Sequence, residues 1–519
     1  MNLAKAWILW GALGAWAQAP EIARNGVVNA ASNTPSELVD SAIAQGSLVT
    51  LRGARFGTHL EDLSAKLSGP AGEAALAIVS ISPSAATARV PAKAPLGPAS
   101  LTITVNGHTS PPYPVKVVPA QFGIYANNGK GWGPGRIQNV AGNQRTPNTV
   151  ANAAAFGQTL SLSGTGLGDG KKLAVMVGGR PSKVVTARAA PEGDEILFQI
   201  PANAPEGCFV PVQVLNAGRL PSNTVTVAIH KTGGACTEPE YFPFAGWPGA
   251  SFGIVALTRT VQREGRVRPV TDEAGAWFGT LPNLDRLNPY FLLPPPGTCT
   301  SQVETWQGEL VPGSFIPMLA SHTGAKALRV GDEISIDDGR TVRKVPAFRG
   351  VQGVHRRELS DLMGRADRLF NFLSPVVVHV AGKGGADVGR FSFALPGTLP
   401  FDLRGTMEPV QRSHSLRLEW TDMGADRIAI LFANFVDSAT GSRGMCYCSA
   451  TPGATDFTIP AAALAYFPSA GRGVRATITV AAWPLRLVTF RAAGLDHAVA
   501  VSAFMNAETG SGDAILQQR

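Results

Sequence analysis

The sequence predicts an all-β protein made of several sandwich-like domains, and three observations predict it. Glycine and proline are abundant, at 58 and 39 of 519 residues, while valine, threonine and alanine outnumber lysine and glutamate. That composition suits short strands joined by tight turns. A phrase also recurs: "VPAKAPLG" at 90–97 returns as "IPANAPEG" at 200–207. Around each copy, apolar and polar residues alternate with the period of two that marks a half-buried strand. A chain this long exceeds a single core, so three or four domains are expected.

In chain order, the first feature is Lys5, then an apolar run from Ala6 to Trp16, then small residues. This is the order of a secretory signal, so the chain is expected to be exported. Residues 1–17 are assigned to the signal, with cleavage after Ala17, because a cut after Ala19 would leave Pro20 beside it. The run is shorter than the roughly 20 residues a membrane-spanning helix needs, and no membrane span is expected. Formal net charge is +8 with scattered arginines. A nucleic-acid footprint would be a basic patch or stripe, so no nucleic-acid partner is expected.

Residues 25–118 and 119–236 read as two copies of one domain. "GSLVTLRGARFG" at 46–57 aligns with "GQTLSLSGTGLG" at 157–168, displaced by 111 positions against 110 for the first phrase. Two blocks at one spacing imply a duplication. Each copy then ends in a hairpin: "LTITV" reaches Asn106-Gly107, a strong two-residue turn signal, and "FVPVQVL" passes Asn216-Ala217-Gly218 and returns as "SNTVTVAI". Pro91, Pro95 and Gly97, like Pro201, Pro205 and Gly207, punctuate the loop into that hairpin. Several short strands in about a hundred residues predict an immunoglobulin-like sandwich.

These residues carry a family resemblance. "GSLVTLRGARFG" and "VMVGGRPSKVV" at 175–185 resemble the opening strands of IPT/TIG immunoglobulin-like domains. "NGVVNAAS", "PAQFGIYANNGKGWG", "IPANAPEGCFVPVQV", "SNTVTVAI" and "GGAC" resemble, in that order, exported soil-bacterial proteins with tandem IPT/TIG-like domains. The resemblance covers about residues 25–236, and more weakly "PPPGTCTS", "GKGGADVGRFSFALP" and "ATDFTIPAAALAYFP" beyond. It implies an extracellular β-rich protein of unknown biochemical role and brings no catalytic motif. The first copy departs from the second in having "LGPASL" where the second has "EGCFVP".

Residues 237–519 show no echo. "PVVVHVAG", "GRFSFALP", "HSLRLEW", "DRIAILFANF", "RATITVAAW" and "HAVAVSAF" read as strands between glycine-rich or charged turns. A β-rich domain over 237–400 and a sandwich-like domain over 401–519 are expected. Leu359, Leu362, Met363, Ala366, Leu369, Phe370 and Leu373 recur at helical spacing despite Gly364, which predicts a helix near 357–373.

Five cysteines in an exported chain favour disulfides. Around a hairpin centred near Ala217-Gly218, Cys208 lies opposite the region of Val227, and Gly233-Gly234 lets the chain bring Cys236 back beside it. Those two are expected to pair. Cys299 is expected to pair with Cys448, with Cys446 as the alternative. Cys446-Tyr447-Cys448 lacks the second cysteine pair of a zinc site, so no metal or cofactor is expected.

Apparent chemical motifs are outweighed by their local context. Gly249-Ala250-Ser251-Phe252-Gly253 matches G-x-S-x-G, but a nucleophile elbow joins a strand to a helix, and here strand-like "IVALTRTV" follows. Gly164–Gly168 with Lys171 superficially matches a phosphate loop, yet its counterpart in the first copy lacks the central glycine. Asp332, Glu333, Asp337 and Asp338 cluster as a candidate calcium turn, off the EF-hand spacing. His379 stands alone in "VVVHV" and reads as a strand residue. The expected role is therefore a secreted, non-enzymatic adhesion or scaffold component that binds an extracellular polysaccharide or surface protein, with Trp420 and Trp483 as candidate contacts. The competing reading is a glycosidase-like hydrolase in 237–519, drawing on groups such as Asp285, Glu304, Asp387 or Glu419, or on Ser251.

Overall fold

The computed structural model describes residues 19–36, 38, 41–190, 193–216, 221–263, 269–283, 292–305, 316, 320, 324–349, 351–359, 377–404, 414–437, 441–465 and 474–511. Within these residues the chain is almost entirely β. Helical structure is limited to the four-residue helix Ala461–Leu464, one turn at Leu60–Asp62 and the isolated positions Ile316 and Ala320.

The first copy builds a sandwich from Glu21 to Val118. Its strands follow one hydrogen-bonded path: Glu21–Asn29, Leu48–Ala54, Ala85–Arg89, Gly72–Ser82, Leu63–Gly69, Gly97–Val105, Tyr113–Val118 and Ile43–Ala44. The long strand Gly72–Ser82 joins the two faces, pairing with Leu63–Gly69 through Leu76 and with Ala85–Arg89 from Ala77 onward. Inward positions are apolar: Val49, Leu51, Leu67, Leu101 and Ile103 share one core. At the predicted hairpin, Asn106 and Gly107 both take positive φ, 48° and 81°, as a type I′ turn requires.

The second copy repeats the register. Leu48 faces Arg89, and Thr159 faces Gln199. Ala44 pairs in parallel with Val118, and Ala154 forms a parallel bridge to Ile229. The long strand is here split into Arg180–Ser182 and Val184–Arg188, which join different sheets. The G-x-G motif of this copy lies at the joint with the first: Thr165 Oγ1 accepts the Leu48 amide of the first copy at 2.8 Å, while within its own copy Gly166 O accepts the Gln121 amide at 3.0 Å. That is turn and joint geometry, with no phosphate cradle.

The carboxy-terminal region is organised by one ten-stranded sheet. Its main path runs Thr298–Thr305, Ser442–Ser449, Arg427–Asp437, Val474–Pro484, His497–Ser511, Ser251–Arg263, Val270–Thr280 and Lys326–Ala327. The division expected at 400/401 therefore does not divide the fold. Ser251–Arg263 lies parallel to His497–Ser511 over twelve residue pairs, so strands from both sides of that boundary form the centre of one sheet.

Period-two alternation gives this sheet two apolar faces. Val255, Leu257 and Ala500 pack beneath the four-stranded sheet containing Ile334, Ile336, Val378 and Val380, while Leu431, Phe435 and Ile478 pack beneath the three-stranded sheet of Leu416, Leu418 and Trp420. The opposite face, with Phe252, Ile254 and Ile430, packs on Tyr241, Phe244 and Trp247 and continues into Trp132 and Phe209 of the second sandwich. Two expectations fall largely outside the described residues: the signal at 1–17, and the helix near 357–373, of which only Arg357 and Glu358, in a strand, and buried Leu359 are described.

Candidate binding groove at the sandwich junction

The site forms where the second sandwich meets the ten-stranded sheet. Strand Gly207–Leu215 delivers Cys208 and Phe209, and the Cys208–Cys236 disulfide, with Cα atoms 5.3 Å apart, ties the following segment back to it. Closing a loop of 28 residues this way contributes about 3.5 kcal/mol in the chain-entropy view. The chain then passes Glu238 and turns into an aromatic ladder. Phe242 meets Phe244 edge to face at 4.6 Å, Phe244 meets Trp247 at 4.7 Å, and Phe252 meets Trp277 at 4.6 Å. Such pairs gain about 0.5–1.5 kcal/mol beyond the area they bury.

Between these elements and the proline run 294–296 lies a groove of about 220 Å³. Its lining includes Glu206, Phe209, Glu238, Tyr241, Phe242 and Pro295, with two acidic residues and, among the described residues, no basic one. Glu238 is half-buried, and its carboxyl accepts the Ala245 amide at 2.6 Å. Burial nevertheless outweighs that bond and a second one from Gly246, raising its pKa to about 8. Tyr241 is 95% buried, and its hydroxyl has no hydrogen-bond partner. Burial moves the phenol up to about 12, so it is neutral at physiological pH. An unpaired buried hydroxyl costs about 1–3 kcal/mol, a cost that a ligand's polar atom would relieve. The Tyr241 backbone is fixed from behind, where Trp483 Nε1 donates to its carbonyl at 2.9 Å.

The tryptophans named from sequence are placed otherwise than as ligand contacts. Trp420 is fully buried and donates from Nε1 to Ala454 O at 2.9 Å. Trp483 is 3% exposed and supports the groove from inside. Every described Trp, Tyr and Phe is buried or half-buried, so no flat aromatic platform is exposed among the described residues. The groove escaped sequence reasoning because its parts lie far apart in the chain. The one available signal was the acidic and aromatic run Glu238 to Trp247 between two cysteine-bearing segments.

Cys299 joins Cys448, with Cα atoms 4.1 Å apart, and Cys446 stays free and buried with Sγ 3.7 Å from Cys448 Sγ. Cys299 faces Cys448 directly across the ladder, whereas Cys446 faces Ser301, which decides the pairing. Burial pushes the Cys446 thiol well up, leaving it an unreactive thiol.

The hydrolase candidates are used locally. Ser251 opens a strand, and its Oγ donates to Asp496 Oδ2 at 2.7 Å, with no helix following. Asp387 is held by Arg329 at 2.9 Å, which brings its pKa to about 2, and Glu419 pairs with Arg417 at 3.2 Å in a different sheet. Asp285 lies outside the described residues, as does the side chain of Glu304. At the candidate calcium turn, Asp338 accepts the Arg340 and Thr341 amides and pairs with Arg343, Asp337 accepts the Gly339 amide, and Glu333 pairs with Lys344. His379 is an exposed strand residue.

No protein family and no curated protein matches the chain. Among solved structures it is similar to the plexin A4 extracellular region, at 15% identity and a TM-score of 0.17 over 39% of this chain and 17% of that one. It thus spans less than a fifth of that protein's length. It is also similar to a tetra-tandem repeat in the extending region of a large adhesion protein, at 12% identity and a TM-score of 0.15 over 91% of this chain and 96% of that one. A third likeness is SGBP-B from a xyloglucan utilization locus of Bacteroides uniformis, at 12% identity and a TM-score of 0.17 over 66% of this chain and 86% of that one. With TM-scores this low, none of these bears on what this chain does.

Proposed function

We propose that the chain is an exported, non-enzymatic adhesion or scaffold component whose paired IPT/TIG-like sandwiches carry the carboxy-terminal region, and that it binds an extracellular polysaccharide or surface protein at the junction groove. The observation that carries the binding role is the groove of about 220 Å³, one of whose lining residues, Tyr241, has a buried hydroxyl without a hydrogen-bond partner. Two disulfides suit an oxidising compartment. No described helix is long and apolar enough to cross a membrane.

One observation favours a second reading, a glycosidase: Glu206 and Glu238 line the same groove, and Glu238 has the raised pKa of a general acid. The binding reading is preferred because each carboxyl is already engaged by backbone, Glu206 Oε2 accepting the Lys231 amide at 2.7 Å and Glu238 Oε2 the Ala245 amide. The test incubates purified protein with cell-wall polysaccharides and with chromogenic glycosides and esters. Retention on polysaccharide or on an extracellular protein without product supports the proposal. Turnover abolished by Glu238→Gln or Ser251→Ala overturns it.

A further inference from the structure

The groove's chemistry selects among ligands. The lining is largely carbon, with prolines, Leu293, Phe209 and Phe242, so a polysaccharide or surface protein would be held here through a substituent rather than through a bare sugar ring, whose edge needs hydrogen-bond donors and acceptors. Among the described lining residues an anion would meet no cation to balance it. A primary ammonium carries three donors and would leave most of them unpaired beside so few acceptors. A methylated ammonium fits each condition. It is positive, weakly hydrated and shaped to fill a carbon-lined cleft, and aromatic rings attract it.

Resting on the reading of this groove as a binding site, we propose that the group it recognises is a methylated organic ammonium of about choline size, with Glu238 as counter-charge and the Tyr241 hydroxyl as hydrogen-bond partner for a neighbouring oxygen. The described titratable groups lining the groove are Glu206, Glu238 and Tyr241, and Glu240, next along the chain, forms an exposed pair with Arg486 at 3.1 Å. A bound cation favours ionised Glu238, so binding below pH 8 releases a proton and affinity rises from pH 6 toward 8.

Calorimetry on the full chain tests this with choline, tetramethylammonium and the uncharged isostere 3,3-dimethylbutan-1-ol. The expected result is saturable choline binding, at least tenfold weaker binding of the isostere, and at least tenfold loss with Glu238→Gln. Tyr241→Phe should weaken choline while leaving tetramethylammonium, which has no hydroxyl, unchanged. Vesicles of phosphatidylcholine against phosphatidylglycerol separate a lipid headgroup from a free cation as the source. Because Glu238→Gln alters the acceptor of the Ala245 amide, its melting curve is measured alongside, and Glu206→Gln serves as a second charge variant expected to weaken choline less. Equal binding of choline and isostere, an unchanged affinity in a folded Glu238→Gln, or no heat at millimolar choline overturns the proposal. If polysaccharide or a partner protein binds and choline does not displace it, the binding role stands and this ligand assignment falls.

Discussion

The two sandwiches are built on one plan, yet their matching strands meet different surroundings. In the first, Gly97–Val105 and Tyr113–Val118 alternate between buried and more exposed positions. In the second, Gly207–Leu215 is buried at eight of nine positions and Val225–Ile229 at all five. The first hairpin has one face toward solvent, whereas the second is covered on both sides, the outer one by the carboxy-terminal sheet. The second sandwich thus differs from the first in carrying an apolar outer face, as a strand buried on both faces requires.

Four measurements would break or sharpen this comparison. The largest effect is expected at Phe209, an outer-face residue within the shared core. Phe209→Ala should cost about 4 kcal/mol by urea unfolding and expose the junction to protease, while Thr102→Ser, on the outward side of the first copy's strand, should stay within about 0.5 kcal/mol. Equal effects would mean that the outer faces do not differ. Inner faces should behave alike: Leu51→Ala and Leu162→Ala, both fully buried, should each cost about 3 kcal/mol. A gap above about 1.5 kcal/mol between them would show unequal cores.

A smaller contrast concerns the glycines that open the matched strands, Gly97 at φ 107° and Gly207 at φ 152°. An added Cβ at Gly207 would lie 2.9 Å from Pro295 Cγ, whereas at Gly97 nothing stands within 4 Å. Alanine strains both, and the Gly207 variant should be worse by about 1 kcal/mol, in the range of an overpacked contact. A further contrast is one of pH. Glu238 has a folded pKa of about 8 against an ordinary 4.5, so the folded state holds the extra proton between those values. The stability it contributes is present below about pH 4.5 and declines as pH rises to 8. Glu238→Gln should flatten that decline in a series of melting curves, and an unchanged slope would place the titration elsewhere.

Local pattern made the sandwiches legible. The block "GSLVTLRGARFG" and its echo fixed the repeated strand, and Asn106-Gly107 fixed its hairpin. The junction was written too, since "FVPVQVL" is far more continuously apolar than "LTITV" and so reads as a strand without a solvent face. The groove was not legible, because Phe209, Tyr241 and Pro295 become neighbours only through tertiary packing. Trp420 and Trp483 misled as contacts for a related reason: a large aromatic residue in a strand looks the same whether its face is open or covered. The boundary at 400/401 failed because glycine-rich turns mark strand ends, and strand ends do not reveal which sheet a strand joins.

The parallel pairing at the centre of the ten-stranded sheet sets an order of assembly. Ser251 meets Asp496 across 245 residues. As the chain emerges during synthesis, each sandwich can close once its own hundred residues are available, but strand Ser251–Arg263 must wait, with one edge unpaired, until His497–Ser511 arrives. Contacts of such long range form slowly, and an unpaired edge is a site for mispairing with other chains. A stop anywhere before residue 497 would remove a central strand rather than trim a rim, so truncations should aggregate rather than yield a shorter working protein.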